Sequence, residues 1–419
     1  MWKTVARKEI LANLLGSRFY VVVLLAAALV ATSFFVMGRD YKARLADHDL
    51  IKAKPGEPVA VNPPNPLSIV AKGLDEAMSR SFEVSPIGVT VRAGQKSGNT
   101  VFAFFPAPDF LYVVRVVMSL LALLFGFDLV NREKEDGTLR LVLANPVPRG
   151  AVLFGKWAGS FASLAVPFLL VTGIGLAALA LDPAIRFTGG QAARLGLILG
   201  LSLLYIAFFL SLGTLVSALT RRASSALVIL LFAWVLVVFV LPNLGTLVAR
   251  QAVRVPSVRA LSEKRQQIWT REVLLRIRGQ GDWASHVKAI GAENDALEAD
   301  YRVKFERLVA LSKAINRVSP AAGFVYAVTE VAGTGIGEES AFKREVVRYK
   351  NGLLDRTLAA PDGGVADNPA FRYAYRPLGR VLAAGALFDA GWLSGRRHAA
   401  TSLARMCSAT SCRRTTSLP

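Results

Sequence analysis

The stretch LYVVRVVMSLLALLFGFDLV, residues 111–130, contains one arginine and one aspartate and is otherwise apolar, aromatic or small. The hydrocarbon core of a bilayer is about 30 Å thick, and about 20 residues in helical form cross it. Lipid offers no hydrogen-bond partners, so a crossing segment must satisfy its backbone donors and acceptors internally, as a helix does. This stretch therefore predicts a membrane-spanning helix.

Four further stretches have the same length and composition: residues 19–37, 158–181, 195–219 and 226–248. Hydrophobic residues make up 53% of the 419-residue chain, which is typical of a protein that dissolves several segments in lipid. The first stretch is longer than the apolar run of a secretory signal peptide. The sequence therefore predicts an all-α polytopic membrane protein with five clear transmembrane helices.

Basic residues near the predicted helices indicate their orientation, because flanks rich in Lys and Arg stay in the cytoplasm. Such residues concentrate in segment 1–18, in loop 131–157 and in turn 220–224, whereas loop 182–194 has only Arg186 and Arg194. We expect a cytoplasmic N-terminus and a cytoplasmic loop at 131–157. The net charge of +20 is assigned to topology and to anionic headgroups rather than to nucleic acid.

Two larger segments are then expected outside the membrane, on the extracytoplasmic side. Segment 38–110 contains the proline-rich run KPGEPVAVNPPNP, residues 54–66, which favours irregular structure. Segment 249–378 is predicted to form an extracytoplasmic helical lobe. One helix face in it is apolar at spacings of three and four, with Leu297, Tyr301, Phe305, Leu308, Leu311 and Ile315. Residues 329–340, TEVAGTGIGEES, are expected to form a flexible connector rather than a dinucleotide site.

The loop NREKEDGTLRLVLANPVPRGAVLFGKW, residues 131–157, contains an almost complete phosphate-binding pattern. Gly150 to Lys156 match GxxxxGK, but Trp157 occupies the position of the hydroxyl that binds magnesium. Prolines rather than a buried strand precede it. We therefore reject a nucleotide site and interpret Lys156 and Trp157 as anchors at the membrane interface.

The same loop offers a short docking element. Gly137 frees the backbone, Thr138 can begin a helix, and Leu139, Val142 and Leu143 give one or two turns an apolar edge before Asn145-Pro146 stops them. Carboxylates flank this element, namely Glu133, Glu135 and Asp136. The pattern favours a socket for another protein, and the alternative is a merely solvated loop.

This loop resembles the first cytoplasmic loop of type-2 (export-type) ABC transporter permeases. The matching residues are Glu133, Glu135, Gly137, Thr138, Leu139, Pro146, Arg149, Gly155 and Lys156. The resemblance extends over all five predicted spans and into residues 317–335. It is greatest to the subgroup with a large extracytoplasmic insert, related to the permease of nitrous oxide reductase maturation.

The resemblance implies a permease subunit in the bacterial inner membrane, paired with a second copy or a related permease. Cytoplasmic ABC ATPase subunits would be separate chains. ATP and magnesium would bind those partners, so no cofactor is expected on this chain. By resemblance, a coupling helix from Thr138 to Ala144 would fit a groove on the ATPase. The residues expected to carry this coupling are Glu133, Glu135, Gly137, Thr138, Leu139, Val142, Leu143 and Arg149.

The resemblance also implies a sixth span near residues 381–405, where the sequence departs from the family. Segment 379–419 has an apolar run of about 14 residues interrupted by Asp389, too short for a span. Both cysteines and several arginines follow in a tail rich in Ser and Thr. We interpret this segment as a degraded sixth span and an irregular basic tail, with a shifted reading frame or a truncation as its cause.

Two intramembrane charges, Arg115 and Asp128, lie too far apart along one predicted helix to pair with each other. We interpret them as snorkelling and locally paired groups rather than as a substrate pathway. The pairs Gly155/Gly159 and Gly196/Gly200 predict close helix approach. The sequence shows no constellation for catalysis or metal binding, so we expect a permease rather than an enzyme. The alternative is a membrane scaffold or sensor with an extracytoplasmic binding lobe.

Overall fold

The computed structural model describes residues 2–53, 59–75, 82–85, 88–91, 108–138, 144, 148–280, 283–358 and 387–388. Within these residues, five helices are long and apolar enough to cross a membrane. They are Ser17–Ala53 (span 1), Phe110–Glu135 (span 2), Arg149–Ala180 (span 3), Gly189–Leu219 (span 4) and Ala223–Ala252 (span 5). The predicted fold class, an all-α polytopic membrane protein, is confirmed.

The remaining elements lie before, between and after the spans. The helices are α1 (Trp2–Leu15), a short 3-10 helix (Pro66–Ile69), α2 (Val258–Ile277), α3 (Trp283–Asn316), α4 (Pro320–Ala332) and α5 (Ile336–Leu358). Short strands in the described residues form a small antiparallel sheet in the order β3-β2-β1-β4. The strands are β1 (Val59–Val61), β2 (Phe82–Ser85), β3 (Gly88–Val91) and β4 (Leu387–Phe388).

The end of the bundle near residues 131–148 is called the loop end, and the opposite end, from which α2 and α3 extend, is called the lobe end.

Strand β4 belongs to segment 379–419, and the rest of that segment lies outside the described residues. The interpretation of a degraded sixth span therefore stays a prediction.

Span 1 is longer than its apolar stretch. Its helix does not end at Met37 but continues to Ala53, and its 37 residues extend about 55 Å. Beyond Met37, Arg44 donates to the Asp40 carboxylate one helical turn away at 3.1 Å, a spacing that stabilises helices. The predicted loop 38–110 therefore begins as a continuation of span 1.

Aromatic stacking and close backbone contact join the spans. Phe110 at the start of span 2 stacks on Phe34 of span 1 and on Phe168 of span 3, with ring centroids 5.6 and 5.7 Å apart. Spans 2 and 4 meet at Gly126 and Gly213, where a Cβ on Gly126 would lie 2.9 Å from the Gly213 Cα. Small residues thus let two helices approach as closely as lipid-embedded packing favours.

Spans 2 and 5 each contain a π-helical segment whose backbone carbonyls accept hydrogen bonds from neighbouring elements. In span 5 the segment Leu236–Val240 precedes Pro242, whose ring removes a donor and displaces the preceding turn. The Ser319 hydroxyl donates to the Val237 carbonyl at 2.8 Å. In span 2 the segment Val113–Met118 contains Arg115, whose carbonyl accepts from the Tyr205 hydroxyl at 3.1 Å. Neighbouring elements therefore satisfy the backbone where these helices widen.

The lobe is built on a helical hairpin of α2 and α3. Ion pairs link the two helices, with Arg271 bound to Glu293 and Arg265 bound to Glu298. The predicted apolar stripe lies on α3, where all six of its residues are half-buried. The hairpin therefore uses the stripe for packing within the chain.

Helix α4 packs its apolar side against the spans, while Tyr326 and Glu330 on it contact the end of α3. Phe324 stacks on Tyr205 of span 4 with ring centroids 4.4 Å apart. Ala321, Val328 and Ala332 are buried in the same hydrophobic core as the spans. The bundle core therefore includes a helix from within segment 249–378, which was predicted to form the lobe.

The end of α4 is tied down, so the expectation of a flexible connector is wrong for residues 329–335. Gly333 adopts a left-handed conformation with φ of +70° and ends the helix, as glycine does at many helix C-termini. The buried Thr334 hydroxyl then donates to the Ala71 carbonyl at 2.9 Å. These glycines terminate a helix and do not indicate mobility.

Residues 65–75, which include the 3-10 helix, connect this turn to span 1. The Asn65 side chain donates to the Ala332 carbonyl at 2.7 Å. On its other side, Arg44 of span 1 donates to the Ser68 hydroxyl at 3.0 Å and pairs with the buried Asp75. Span 1, residues 65–75 and the end of α4 thus form one hydrogen-bonded junction at the lobe end.

Candidate functional site at the loop end

The first turn and a half after the apolar part of span 2, Asn131–Glu135, is called the stem. The stem is attached to span 4 through the backbone. The amides of Val130 and Asn131 both donate to the Ser217 hydroxyl at 3.1 Å. The buried Asn131 side-chain amide lies 2.7 Å from the Thr220 hydroxyl. The polar residue that begins the stem is therefore inside the bundle and not free in solvent.

Lys134 reaches across to the end of span 4. Its ammonium donates to the carbonyls of Ser217 at 3.3 Å, Ala218 at 2.6 Å and Thr220 at 2.9 Å. The last carbonyls of a helix have no intrahelical partner and carry partial negative charge. Lys134 therefore caps the C-terminus of span 4 from another helix.

Glu135 makes the complementary contact with span 5. Its carboxylate accepts from the Ala223 amide at 2.8 Å, at the first residue of that helix. Free amides and partial positive charge at a helix N-terminus favour such an acceptor. Consecutive residues of the stem thus cap the two helix ends that meet at residues 220–222, which we call the span 4/5 turn.

Glu133 faces span 3. Its carboxylate pairs with Lys156 at 2.8 Å, and Lys156 also donates to the Leu129 carbonyl at 2.9 Å. Lys156 is only 6% exposed, so its interpretation as an anchor reaching lipid headgroups is wrong. The reason is that α1 covers this face of span 3.

The glycines of span 3 accommodate α1. A Cβ on Gly155 would lie 2.8 Å from the Val5 Cβ, and one on Gly159 would lie 2.6 Å from the Glu9 Cβ. The close approach predicted for Gly155/Gly159 therefore occurs, and its partner is α1. For Gly196/Gly200 the prediction is wrong, because a Cβ on either glycine would meet nothing within 4 Å. Burial raises the pKa of Glu9, Lys156 acts against that shift, and Glu133 and Asp128 add to it. Glu9 of α1 and Glu133 of span 2 thus both lie close to Lys156.

The near match to a phosphate-binding loop lies within a helix. Residues 150–156 form the first turns of span 3, which begins at Arg149. Beyond the first turn of a helix, backbone amides are already bonded to the carbonyls four residues before them and cannot cradle phosphate. The conformation of the segment agrees with the rejection of a nucleotide site there.

The remaining predicted site residues are exposed or lie outside the described residues. Gly137 has a φ of +71°, a left-handed conformation that ends the stem. Thr138 and Arg149 are exposed on either side of the loop. Leu139, Val142 and Leu143 lie outside the described residues, so the coupling helix stays a prediction.

The intramembrane charges Arg115 and Asp128 lie at opposite ends of span 2. The guanidinium of Arg115 lies 5.8 Å from the ring centre of Tyr112, near the lobe end. Asp128 lies at the loop end, close enough to Glu9 to raise the pKa of that carboxyl. The structure does not bring the two charges together.

Sequence reasoning missed the residues that hold the stem in place, namely Asn131, Lys134, Lys156, Ser217 and Thr220. Lys134 and its acceptors are more than 80 residues apart in the chain. No local spacing encodes such a contact. The one available signal was a cluster of Ser and Thr at the end of an apolar stretch, which is consistent with many roles.

Comparison with known proteins identifies the family. The profile of the ABC-2 family transporter proteins matches residues 3–335. The probable ABC transporter permease protein NosY of Stutzerimonas stutzeri is 33% identical over 170 residues, covering 39% of this chain and 60% of the relative. The protein of the same name from Pseudomonas aeruginosa is 34% identical over 153 residues, covering 36% of this chain and 55% of the relative.

The aligned region spans less than two thirds of these relatives. The family match, by contrast, extends from α1 through all five spans to the end of α4. The loop with its stem falls inside that match. The chain therefore belongs to the ABC-2 transporter family and is a multi-pass membrane permease of that family.

Proposed function

We propose that this chain converts ATP hydrolysis on a separate ABC ATPase into substrate movement across the membrane. ATP and magnesium would bind the partner, and residues 138–144 would be the helix that the partner grips. The observation that carries the proposal is the attachment of the stem. Glu133, Lys134 and Glu135, which directly precede the proposed docking residues in the chain, contact spans 3, 4 and 5 respectively.

This attachment supports force transmission. A displacement applied to residues 138–144 reaches span 2 through the stem and span 3 through the chain at Arg149. The Glu133–Lys156 ion pair adds a second connection between spans 2 and 3. The caps at the span 4/5 turn extend the displacement to spans 4 and 5. A solvated loop without a partner would not need such bracing.

We also propose that the loop end faces the cytoplasm of a bacterial cell, in the inner membrane, with the N-terminus on the same side. The charge distribution supports this orientation, because the basic residues of α1, of the stem and of the span 4/5 turn lie at that end. A second copy of this chain, or a related permease, would complete the transporter.

Pull-down experiments test the proposed partner. The full chain would be tagged and purified from membranes together with any ABC ATPase encoded beside its gene. We expect co-purification of an ATPase, with its loss in the variant Leu139→Glu, because a charge on the apolar edge of the coupling helix opposes docking. The matched control is Leu274→Glu on α2 of the lobe, which is 49% exposed and lies outside the spans, far from the loop. Retention of the ATPase by Leu139→Glu would contradict the proposed docking helix.

The orientation is tested with one reactive cysteine. Leu139→Cys is introduced after Cys407→Ser and Cys412→Ser remove the native thiols. We expect a membrane-impermeant maleimide to leave this cysteine unlabelled in intact cells and to label it after permeabilisation. Labelling from outside would overturn the orientation, and with it the proposed access of the ATPase.

A further inference from the structure

We propose that Lys134 is a positioning residue that makes the span 4/5 turn move together with the coupling loop. The inference rests on the proposed function, and it concerns how a displacement spreads after the ATPase has docked. Without Lys134, the stem would be joined to span 4 only around Ser217 and Asn131, and to the start of span 5 only through Glu135. With it, the end of span 4 and the start of span 5 follow the same displacement.

The chemistry of lysine fits this role. An ammonium group has three donors and no acceptor, and the three carbonyls of Ser217, Ala218 and Thr220 surround the Lys134 ammonium. The planar guanidinium of arginine presents its donors as a fork and does not fit such a cup. The site therefore selects a compact point charge at the C-terminus of span 4.

The neighbouring contacts allow the role of Lys134 to be separated from folding. The Ser217 hydroxyl holds the amides of Val130 and Asn131 independently of the lysine. Glu135 holds the Ala223 amide on the other side of the turn. Removing the ammonium should therefore weaken the coupling of the turn while the stem keeps its place.

Arg132 provides a matched control. It lies in the same five-residue helix as Lys134 but is exposed. The substitution Arg132→Met removes one positive charge from the stem without affecting the span 4 cap. Each substitution removes one positive charge from the stem. A different effect of Lys134→Met and Arg132→Met therefore results from the position of the lost charge and not from the change in net charge.

The experiment measures movement of the turn by spin-label distances. The full chain, with both native cysteines replaced by serine, carries labels at Lys3→Cys on α1 and Arg221→Cys in the span 4/5 turn. It is reconstituted in lipid vesicles with its ABC ATPase and compared without nucleotide and after trapping with ATP and vanadate. ATPase retention and the rate of ATP hydrolysis are measured on the same samples.

We expect the distance to change on trapping in the parent and in Arg132→Met. In Lys134→Met the distance change should be less than half of that in the parent. The variant should still retain the ATPase, and its rate of ATP hydrolysis should stay within about threefold of the parent. Lys134→Arg should be intermediate. Glu135→Ala, which removes the cap of span 5, serves as a second variant and should show the same reduced distance change.

Two outcomes overturn the inference in distinguishable ways. If the parent retains the ATPase and Lys134→Met and Glu135→Ala show the full distance change, Lys134 has no positioning role although the proposed function stands. If the parent retains no ATPase, the proposed function fails and the inference fails with it. If Lys134→Met does not fold, Lys134 is needed for stability alone, unless the folded variant Glu135→Ala shows the reduced change in spin-label distance.

Discussion

Phe324 of α4 stacks on Tyr205 of span 4 with ring centroids 4.4 Å apart and ring planes inclined by 16°. Phe324 is 7% exposed and Tyr205 is 5% exposed. The two rings connect α4 with the centre of the bundle. The stability of the spans therefore depends on a helix that lies more than 100 residues later in the chain.

Loss of the Phe324 ring is expected to destabilise the whole bundle. Phe324→Ala should lower the free energy of unfolding by about 3 to 5 kcal/mol, because it removes a buried ring and leaves a cavity. The control Tyr205→Phe keeps the stack and removes only the hydroxyl bond to Arg115, at a cost of about 1 kcal/mol. Unfolding by SDS in mixed micelles measures both. Equal effects of the two substitutions would contradict the importance of the stack.

A double-mutant cycle tests the buried ion pair between Glu133 and Lys156. Lys156→Met alone leaves a buried carboxylate without its cation and should cost about 3 to 5 kcal/mol of unfolding free energy. The double variant Glu133→Gln with Lys156→Met should recover part of that loss, since neither charge remains. Additive effects in the same micelle titration would show that the pair does not interact.

The contact between α1 and span 3 should fail when Gly159 gains a side chain. A Cβ there would lie 2.6 Å from the Glu9 Cβ and 2.8 Å from the Ala6 carbonyl oxygen, so α1 must shift. We expect trypsin to cleave after Arg7 or Lys8 at least tenfold faster in Gly159→Ala than in the parent. Gly200→Ala is the control, because nothing lies within 4 Å of its Cβ. Equal cleavage in both variants would contradict the packing.

The hairpin of the lobe should loosen at alkaline pH. The His286 Nδ1 lies 2.9 Å from the Glu272 carboxylate and its Nε2 lies 2.6 Å from the Gln280 carbonyl, so both ring nitrogens face acceptors. The Glu272 carboxylate raises the pKa of His286, and the Gln280 carbonyl adds to that effect. In turn, the hydrogen bond from His286 lowers the pKa of Glu272.

The direction of the pH dependence follows from these shifts. Because folding raises the pKa of His286, its protonated side chain stabilises the hairpin fully at pH values below 6.5, the ordinary pKa of histidine. This stabilisation is lost as the pH rises through the raised pKa of the folded hairpin. Because folding lowers the pKa of Glu272, its carboxylate stabilises the hairpin at pH values above 4.5, the ordinary pKa of the group. This stabilisation is lost as the pH falls through the lowered pKa of the folded hairpin. Nearby, Arg276 opposes protonation of His286, and Arg271 binds Glu272.

We therefore expect hydrogen-exchange protection of residues 283–290 to be greatest between about pH 4.5 and 6.5 and to decrease above that range. His286→Gln should remove the alkaline decrease, since glutamine does not titrate. Protection factors corrected for intrinsic exchange provide the measurement. A parent protein whose protection is flat from pH 6 to pH 9, as expected for the variant, would refute the role of His286.

The sequence identified the spans because hydropathy over about 20 residues is a local property. It placed their ends less well, since hydropathy decreases where charges begin but a helix does not have to end there. Span 1 continues through Asp40 and Arg44, and span 3 begins at Arg149 rather than at residue 158. The charged residues at these positions lie on helices that extend beyond the apolar core.

The exposed part of the candidate site, the docking element that follows Gly137, stays a prediction from the sequence. Gly137 itself adopts a left-handed conformation, which ends the stem. The bracing by Lys134 and Lys156 was not predictable, because each lysine binds backbone carbonyls of another segment. Every residue has a backbone carbonyl, so neither the spacing nor the composition of the sequence indicates which carbonyls a lysine will bind.

The length of span 1 gives it a mechanical role at the lobe end. A continuous helix tilts as a single rod, and Arg44 lies about 20 Å beyond the midpoint of the membrane crossing. A tilt of about 10° would carry that guanidinium sideways by about 3 to 4 Å. Its bonds to Ser68 and Asp75 would pull the cap of α4 with it. Any tilt of span 1 in the bilayer would therefore displace the junction that holds the end of α4.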